Sequence, residues 1–165
     1  NLNQLKLRVV FYNLQVAQQK RVFMTYEEWF LNQAKLHKTI MNKLEDKSID
    51  EIIEYFKYDN MKKNEPDFCP LYNLNKKCHE MEDLNCYLCA CSYFRFNDKG
   101  LKNVDDKILY SCCSIDSKSG SKFVSENSIH HDCSNCIIPH KEKFIKKNFN
   151  KDWLEIMKDV RVDKN

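Results

Sequence analysis

The chain has 165 residues, 27 basic against 24 acidic side chains for a formal net charge of +3, nine cysteines and only two glycines. That length bounds it to one domain, or a small domain with a helical extension. The near balance of charge gives little support to a strongly DNA-binding protein, which shows a concentrated basic stripe. Two glycines, Gly100 and Gly120, leave no Gly-rich loop to cradle a nucleotide.

The chain begins at Asn1 rather than Met, so we expect it to be processed, tagged or excised from something longer, with Met24 and Met41 as candidate natural starts. There is no signal peptide and no apolar run near the ~18–20 residues of a membrane span, so a cytoplasmic protein is expected. Leu5, Leu7, Val9 and Phe11 alternate with polar or less apolar neighbours, which reads as a strand. A helix is expected from Tyr26 to Glu45. Thr25 and Glu28 have capping-box spacing, and Phe30, Ala34, His37, Met41 and Leu44 share one face. His37 on that face reads as a packing histidine rather than a ligand.

Ser48 and Glu51 form a second capping box, opening a short helix with Ile49, Ile52, Ile53 and Phe56 inward. The polar stretch Asp59–Glu65, closed by Pro66, reads as a linker. Residues 1–66 are thus expected to be a mainly helical N-terminal extension, 67–141 a cysteine-rich module and 142–165 a C-terminal helix or pair of helices. In that last segment Asp152 and Glu155 read as a cap, and Trp153, Ile156, Met157 and Val160 as an apolar stripe. The expected fold class is a small metal-stabilised α plus irregular protein, its module packed by flanking helices.

All nine cysteines fall between Cys69 and Cys136. A segment this short and polar needs crosslinks from disulfides or metal. The odd count and the adjacent Cys112-Cys113 suit a disulfide framework poorly, and a reducing compartment leaves thiols to hold metal. Thiols two residues apart can close on one ion, because a tight turn brings the sulfurs to about 3.5–4 Å, as a tetrahedral zinc with ~2.3 Å bonds requires. The runs Cys86-Tyr-Leu-Cys89-Ala-Cys91 and Cys133-Ser-Asn-Cys136-Ile-Ile-Pro-His140 have this spacing. The candidate metal ligands are Cys69, Cys78, His79, Cys86, Cys89, Cys91, Cys113, Cys133, Cys136 and His140. Adjacent side chains diverge, so one of Cys112 and Cys113 is expected to coordinate, and Cys113 is preferred. His130 and His131 read as loop residues, or as supports for a ligand.

Ten donors suffice for two closed tetrahedral sites, so two zinc ions are expected. The alternative cofactor is an iron–sulfur cluster, for which Cys86, Cys89 and Cys91 could supply three of four thiolates. The 43 residues between Cys89 and Cys133 exceed the ~15–20 of an ordinary zinc ribbon. No catalytic zinc or nucleophile motif is present, so a non-enzyme is expected.

Phe68-Cys69-Pro70-Leu71-Tyr72, Lys77-Cys78-His79, Leu84-Asn85-Cys86-Tyr87-Leu88-Cys89-Ala90-Cys91 and Asp132-Cys133-Ser134-Asn135-Cys136 through Pro139-His140 follow in order. Together they resemble the prokaryotic cysteine-rich small domain, a zinc-finger-like family, over about residues 67–141. The resemblance implies a metal-binding module of unassigned role. Where members of that family carry proline after the third clustered cysteine, this chain has Ser92.

The functional expectation is a structural or adaptor module with a protein partner and no membrane association. Two rivals stand beside it. One is an iron–sulfur redox or sensor protein. The other is a single-stranded RNA-binding zinc module, suggested by Tyr87, Tyr93, Phe94, Arg95 and Phe96 and by Lys141, Lys143, Lys146 and Lys147.

Overall fold

The computed structural model describes residues 24–163, and the strand expected near Leu5 lies outside them. Helix α1 (Tyr26–Lys43) starts where its capping box places it: the Glu28 amide donates to Thr25 Oγ1 at 3.1 Å and the Thr25 amide to Glu28 Oε2 at 2.7 Å. Its inward face buries Phe30, His37, Met41 and Leu44, with Ala34 half-buried. Helix α2 (Ile49–Tyr55) opens on the Ser48–Glu51 box. Ile52, Ile53 and Phe56 are buried, but Ile49, in the first turn, faces solvent.

The stretch expected as a linker is instead helix α3 (Tyr58–Asn64). Two of its residues, Tyr58 and Met61, lie one turn apart and are both buried, which is enough apolar contact to fix seven residues against the core. The Tyr58 amide also donates to the Leu84 carbonyl at 2.9 Å.

Two small sheets occupy the middle of the chain, so the fold is mixed α/β and not α plus irregular. Strands β1 (Phe94–Phe96) and β4 (Ser111–Cys113) pair antiparallel. Strands β2 (Lys102–Val104), β3 (Lys107–Leu109), β5 (Ser121–Val124) and β6 (Ser128–Asp132) form a second sheet in the order β2-β3-β6-β5, in which β3 and β6 run parallel. These strands are three to five residues long. Such lengths show no clear alternation, and the strands are held by partners distant in sequence. The β2–β3 turn is Asp105-Asp106, with φ of +46° and +61°. Positive φ at both central residues is the type I′ hairpin geometry, which matches strand twist and which Asp tolerates better than most residues.

The C-terminal segment forms two short helices, α4 (Glu142–Lys147) and α5 (Trp153–Ile156), the paired form of the two arrangements expected there. Asp152 caps α5 through the Leu154 amide. Beyond α5 the chain runs beside β1, with the Phe96 amide donating to Val160 and the Val162 amide to Phe96. One hydrophobic cluster contains Phe30, Phe56, Tyr87, Phe96 and Trp153, and so draws on all three expected segments. The helices thus build a floor under the cysteine-bearing loops.

Candidate metal centre

The loop carrying Cys86 and Cys89 is pinned by main-chain and amide hydrogen bonds. The Cys86 amide donates to the Phe56 carbonyl at 2.8 Å, and Asn85 Nδ2 to the Ile53 carbonyl at 2.8 Å. Asn85 Oδ1 accepts from the Tyr87 amide at 2.9 Å. Both bonds of its side chain are therefore spent on shaping the approach to Cys86. Cys89 has φ +45°, a left-handed conformation that costs a non-glycine residue on the order of 1–3 kcal/mol and persists only where surrounding contacts hold it.

Cys78, His79 and His140 come closest together: their ligand atoms all lie within 4.8 Å of one another. His140 is buried, and its Nδ1 lies 2.9 Å from the Asn85 carbonyl, which can only accept; Nδ1 therefore carries the proton. That tautomer leaves the Nε2 lone pair 3.9 Å from Cys78 Sγ. Two donors on one tetrahedral zinc, with bonds of ~2.3 Å to sulfur and ~2.0–2.1 Å to nitrogen, stand about 3.6 Å apart. A carbonyl holding the far nitrogen is the usual support for a ligating imidazole. His79 lies alongside, with Nδ1 3.2 Å from Cys78 Sγ and its ring centre 4.6 Å from that of His140. Its Nε2 makes no hydrogen bond.

A cavity of about 150 Å³ opens around this group. Cys69, Cys86, Cys89, Cys91, Cys133 and Cys136 line it as well. A smaller adjoining cavity is lined by Cys91, Cys113, Cys133 and Cys136, together with His131. Every sequence-predicted ligand thus borders one cavity or the other. The exception among the cysteines is Cys112: strand β4 turns it to the face opposite Cys113, towards Arg95 and Lys102.

All nine cysteines are thiols rather than disulfides. Burial raises Cys78 and Cys86 to about 12 and Cys91 to about 11, and pushes Cys89 and Cys133 well above the usual thiol range. Neighbouring thiolate charge adds to this, and it does so in two groups. Cys89 feels Cys69, Cys86 and Cys78, whereas Cys133 feels Cys91, Cys136 and Cys113. With no cation these sulfurs stay protonated at neutral pH; a bound cation would reverse that and turn each into a ligand. Burial, more than the opposing Asn85 bond, lowers His140 to about 4, so at neutral pH it is an uncharged imidazole with a donor lone pair. The donor set therefore fits a borderline-soft cation such as zinc.

His130 and His131, expected in a loop, lie in strand β6 and are buried. His130 Nδ1 meets Tyr26 Oη at 2.8 Å, and its ring stacks on Tyr110 at 5.1 Å. His37 packs against Phe56 and Tyr87, away from both cavities. Sequence reasoning overlooked Asn85. Its place immediately before Cys86 was the available signal, since an amide there can bond both ways across a loop.

The features that suggested RNA are partly occupied. Arg95 turns back to donate to the carbonyls of Ser92 and Phe94, at 2.7 and 2.9 Å. Tyr87, Phe94 and Phe96 are buried, and Lys146 pairs with Asp50 and Glu142. No helix among the described residues is long and apolar enough to cross a membrane.

The arrangement defines a small mixed α/β fold with a partly buried cysteine and histidine cluster. No protein-family model, no curated protein and no solved structure matches the chain.

Proposed function

We propose that the protein is a zinc-binding structural module of the cysteine-rich small domain kind, holding two ions and acting through contacts with a protein partner in the cytoplasm. One observation carries the reading: Cys78 and His140 face each other at 3.9 Å, with the imidazole tautomer set by the Asn85 carbonyl, inside a cavity walled by six more thiols. The ordered cysteine motifs and the absence of disulfides support it. The apolar stripes of α1 and α5 face largely inward, so a partner would meet the remaining exposed apolar side chains, among them Leu31, Ile49 and Leu154.

Anaerobic purification followed by elemental analysis is the test. Two zinc per chain is the expected result. Iron and sulfide in near-equal amounts would replace the reading with an iron–sulfur protein, and less than one metal ion per chain would defeat both. Removing the metal should open the module to protease, because binding and ordering of such loops are coupled. Full protease resistance of demetallated protein would contradict that. Single-stranded RNA should show no shift at physiological salt. A shift lost on changing Lys141, Lys143, Lys146 and Lys147 to Glu would overturn the adaptor reading.

A further inference from the structure

The run Cys86-Tyr-Leu-Cys89-Ala-Cys91 could grip one ion through all three sulfurs, and all three line the larger cavity, but only Cys91 also reaches the smaller one. Cys86 and Cys89 line the larger cavity together with Cys69, Cys78 and His140. Cys91, Cys133 and Cys136 line both cavities; in the smaller one the cysteines are these three and Cys113, and none of Cys69, Cys78, Cys86 and Cys89 is among the described residues lining it. The left-handed backbone at Cys89, φ +45°, stands where the chain passes from one cavity to the other, with Ala90 alone between the two sulfur-bearing residues. Two supports then hold Cys91 in its new direction. The Phe94 amide donates to the Cys91 carbonyl at 2.9 Å, and Arg95 ties down the Ser92 carbonyl at 2.7 Å.

The other three thiols reach the smaller cavity from separate elements. Cys113 ends strand β4, which pairs with β1 just after the Cys91 turn, in a register that sets Cys113 opposite Phe94. Cys133 directly follows strand β6, and the Cys136 amide donates to the Cys133 carbonyl at 2.9 Å, closing a tight two-residue turn of the kind that brings both sulfurs to one ion. Ser117 Oγ lies 3.9 Å from Cys136 Sγ at the rim.

We propose that Cys91, Cys113, Cys133 and Cys136 form a closed four-thiolate zinc site of their own, and that the second ion is bound separately by Cys78 and His140 with thiols drawn from Cys69, Cys86 and Cys89. The inference rests on the zinc reading above and assigns its ligands. Four thiolates and no open position make the first site purely structural, clamping β4 to the loop after β6. The imidazole makes the other site mixed. Cys112 belongs to neither, and an iron–sulfur cluster held by Cys86, Cys89 and Cys91 together is excluded by the assignment.

Cadmium-113 exchanged for zinc in the full chain tests the division directly, since coupling between the metal nucleus and cysteine Hβ protons names each ligand. Two cadmium resonances are expected. One should couple to Cys91, Cys113, Cys133 and Cys136, and the other to Cys78 and to the His140 ring. A cadmium coupled to Cys91 as well as to Cys86 or Cys89 would overturn the division while leaving metal binding intact. Absence of any bound metal would overturn the zinc reading itself. Zinc counting on variants provides the second arm: Cys113→Ser should keep one of two ions, and Cys112→Ser both. Loss of both ions from folded Cys113→Ser, or of one from Cys112→Ser, would contradict the assignment.

Discussion

The indole Nε1–H of Trp153 donates to the main-chain carbonyl of Leu88 at 2.8 Å. Leu88 sits inside the Cys86–Cys89 turn, and both residues are buried. The bond therefore runs from the C-terminal helix to the middle of the Cys86–Cys89 loop. The Trp153 ring also packs on Phe30 of α1 at 5.0 Å between centres. Segments far apart in sequence thus meet beneath one turn, and the conformation of that turn depends on all of them.

Trp153→Phe should destabilise the protein by about 1–3 kcal/mol. The phenyl ring keeps part of the packing but cannot donate, leaving the buried Leu88 carbonyl without its partner. Urea unfolding is the measurement, and the midpoint should fall with an unchanged slope. A loss below about 0.5 kcal/mol would mean that water replaces the indole.

The helix starts were legible because caps are local. Thr25 with Glu28, and Ser48 with Glu51, lie three residues apart, and both capping boxes form. The sheets were not. Strand β3 has too few residues to show a period, and its parallel partner β6 lies beyond two other strands. Helix α3 was hidden for a related reason, since Tyr58 and Met61 alone bury it and the rest of the segment is polar. At the site, residue types and spacing picked out the donors that border the cavities. Their division was not readable, because it depends on one backbone angle at Cys89 and on which face of β4 carries Cys113.

Gly100→Ala should cost about 1–3 kcal/mol. The residue has φ +91°, which an L side chain rarely adopts, and a Cβ there would lie 2.4 Å from Ile108 Cγ2 on β3. Thermal unfolding of wild type and variant checks this. An unchanged melting temperature would show that the Asn97–Leu101 turn re-forms with negative φ.

At Gly120 the obstacle is a side chain. A Cβ would meet His131 Nε2 at 2.5 Å, with no unfavourable φ to add strain. Gly120→Ala should therefore destabilise wild type but be nearly neutral in a His131→Ala background. The expected coupling in this double-mutant cycle is about 0.5–3 kcal/mol. Additive effects would show that the His131 ring is not held against Gly120.

The last prediction concerns acid. His37 is fully buried, stacked on Phe56 at 5.3 Å and edge-on to Tyr87 at 4.8 Å, and neither ring nitrogen makes a hydrogen bond. Burial lowers its pKa to about 4, against weaker opposing effects from the Tyr87 backbone and the Asp152 carboxylate. The unfolded chain, with an ordinary histidine near ~6.5, takes up a proton before the native state does. Stability from the neutral ring is thus complete above about pH 6.5 and is lost as pH falls towards 4; below that both states are protonated and the loss levels off. The loss should be about 2 kcal/mol at pH 5 and approach about 3 kcal/mol near pH 4. Other groups also titrate in acid, so the useful quantity is the difference between wild type and His37→Phe. The variant keeps the aromatic packing and removes two unpaired nitrogens. Denaturant unfolding at pH 8 and pH 5 should show it gaining about 2 kcal/mol on wild type over that interval. A difference constant with pH would mean that His37 already has a proton partner in the native core.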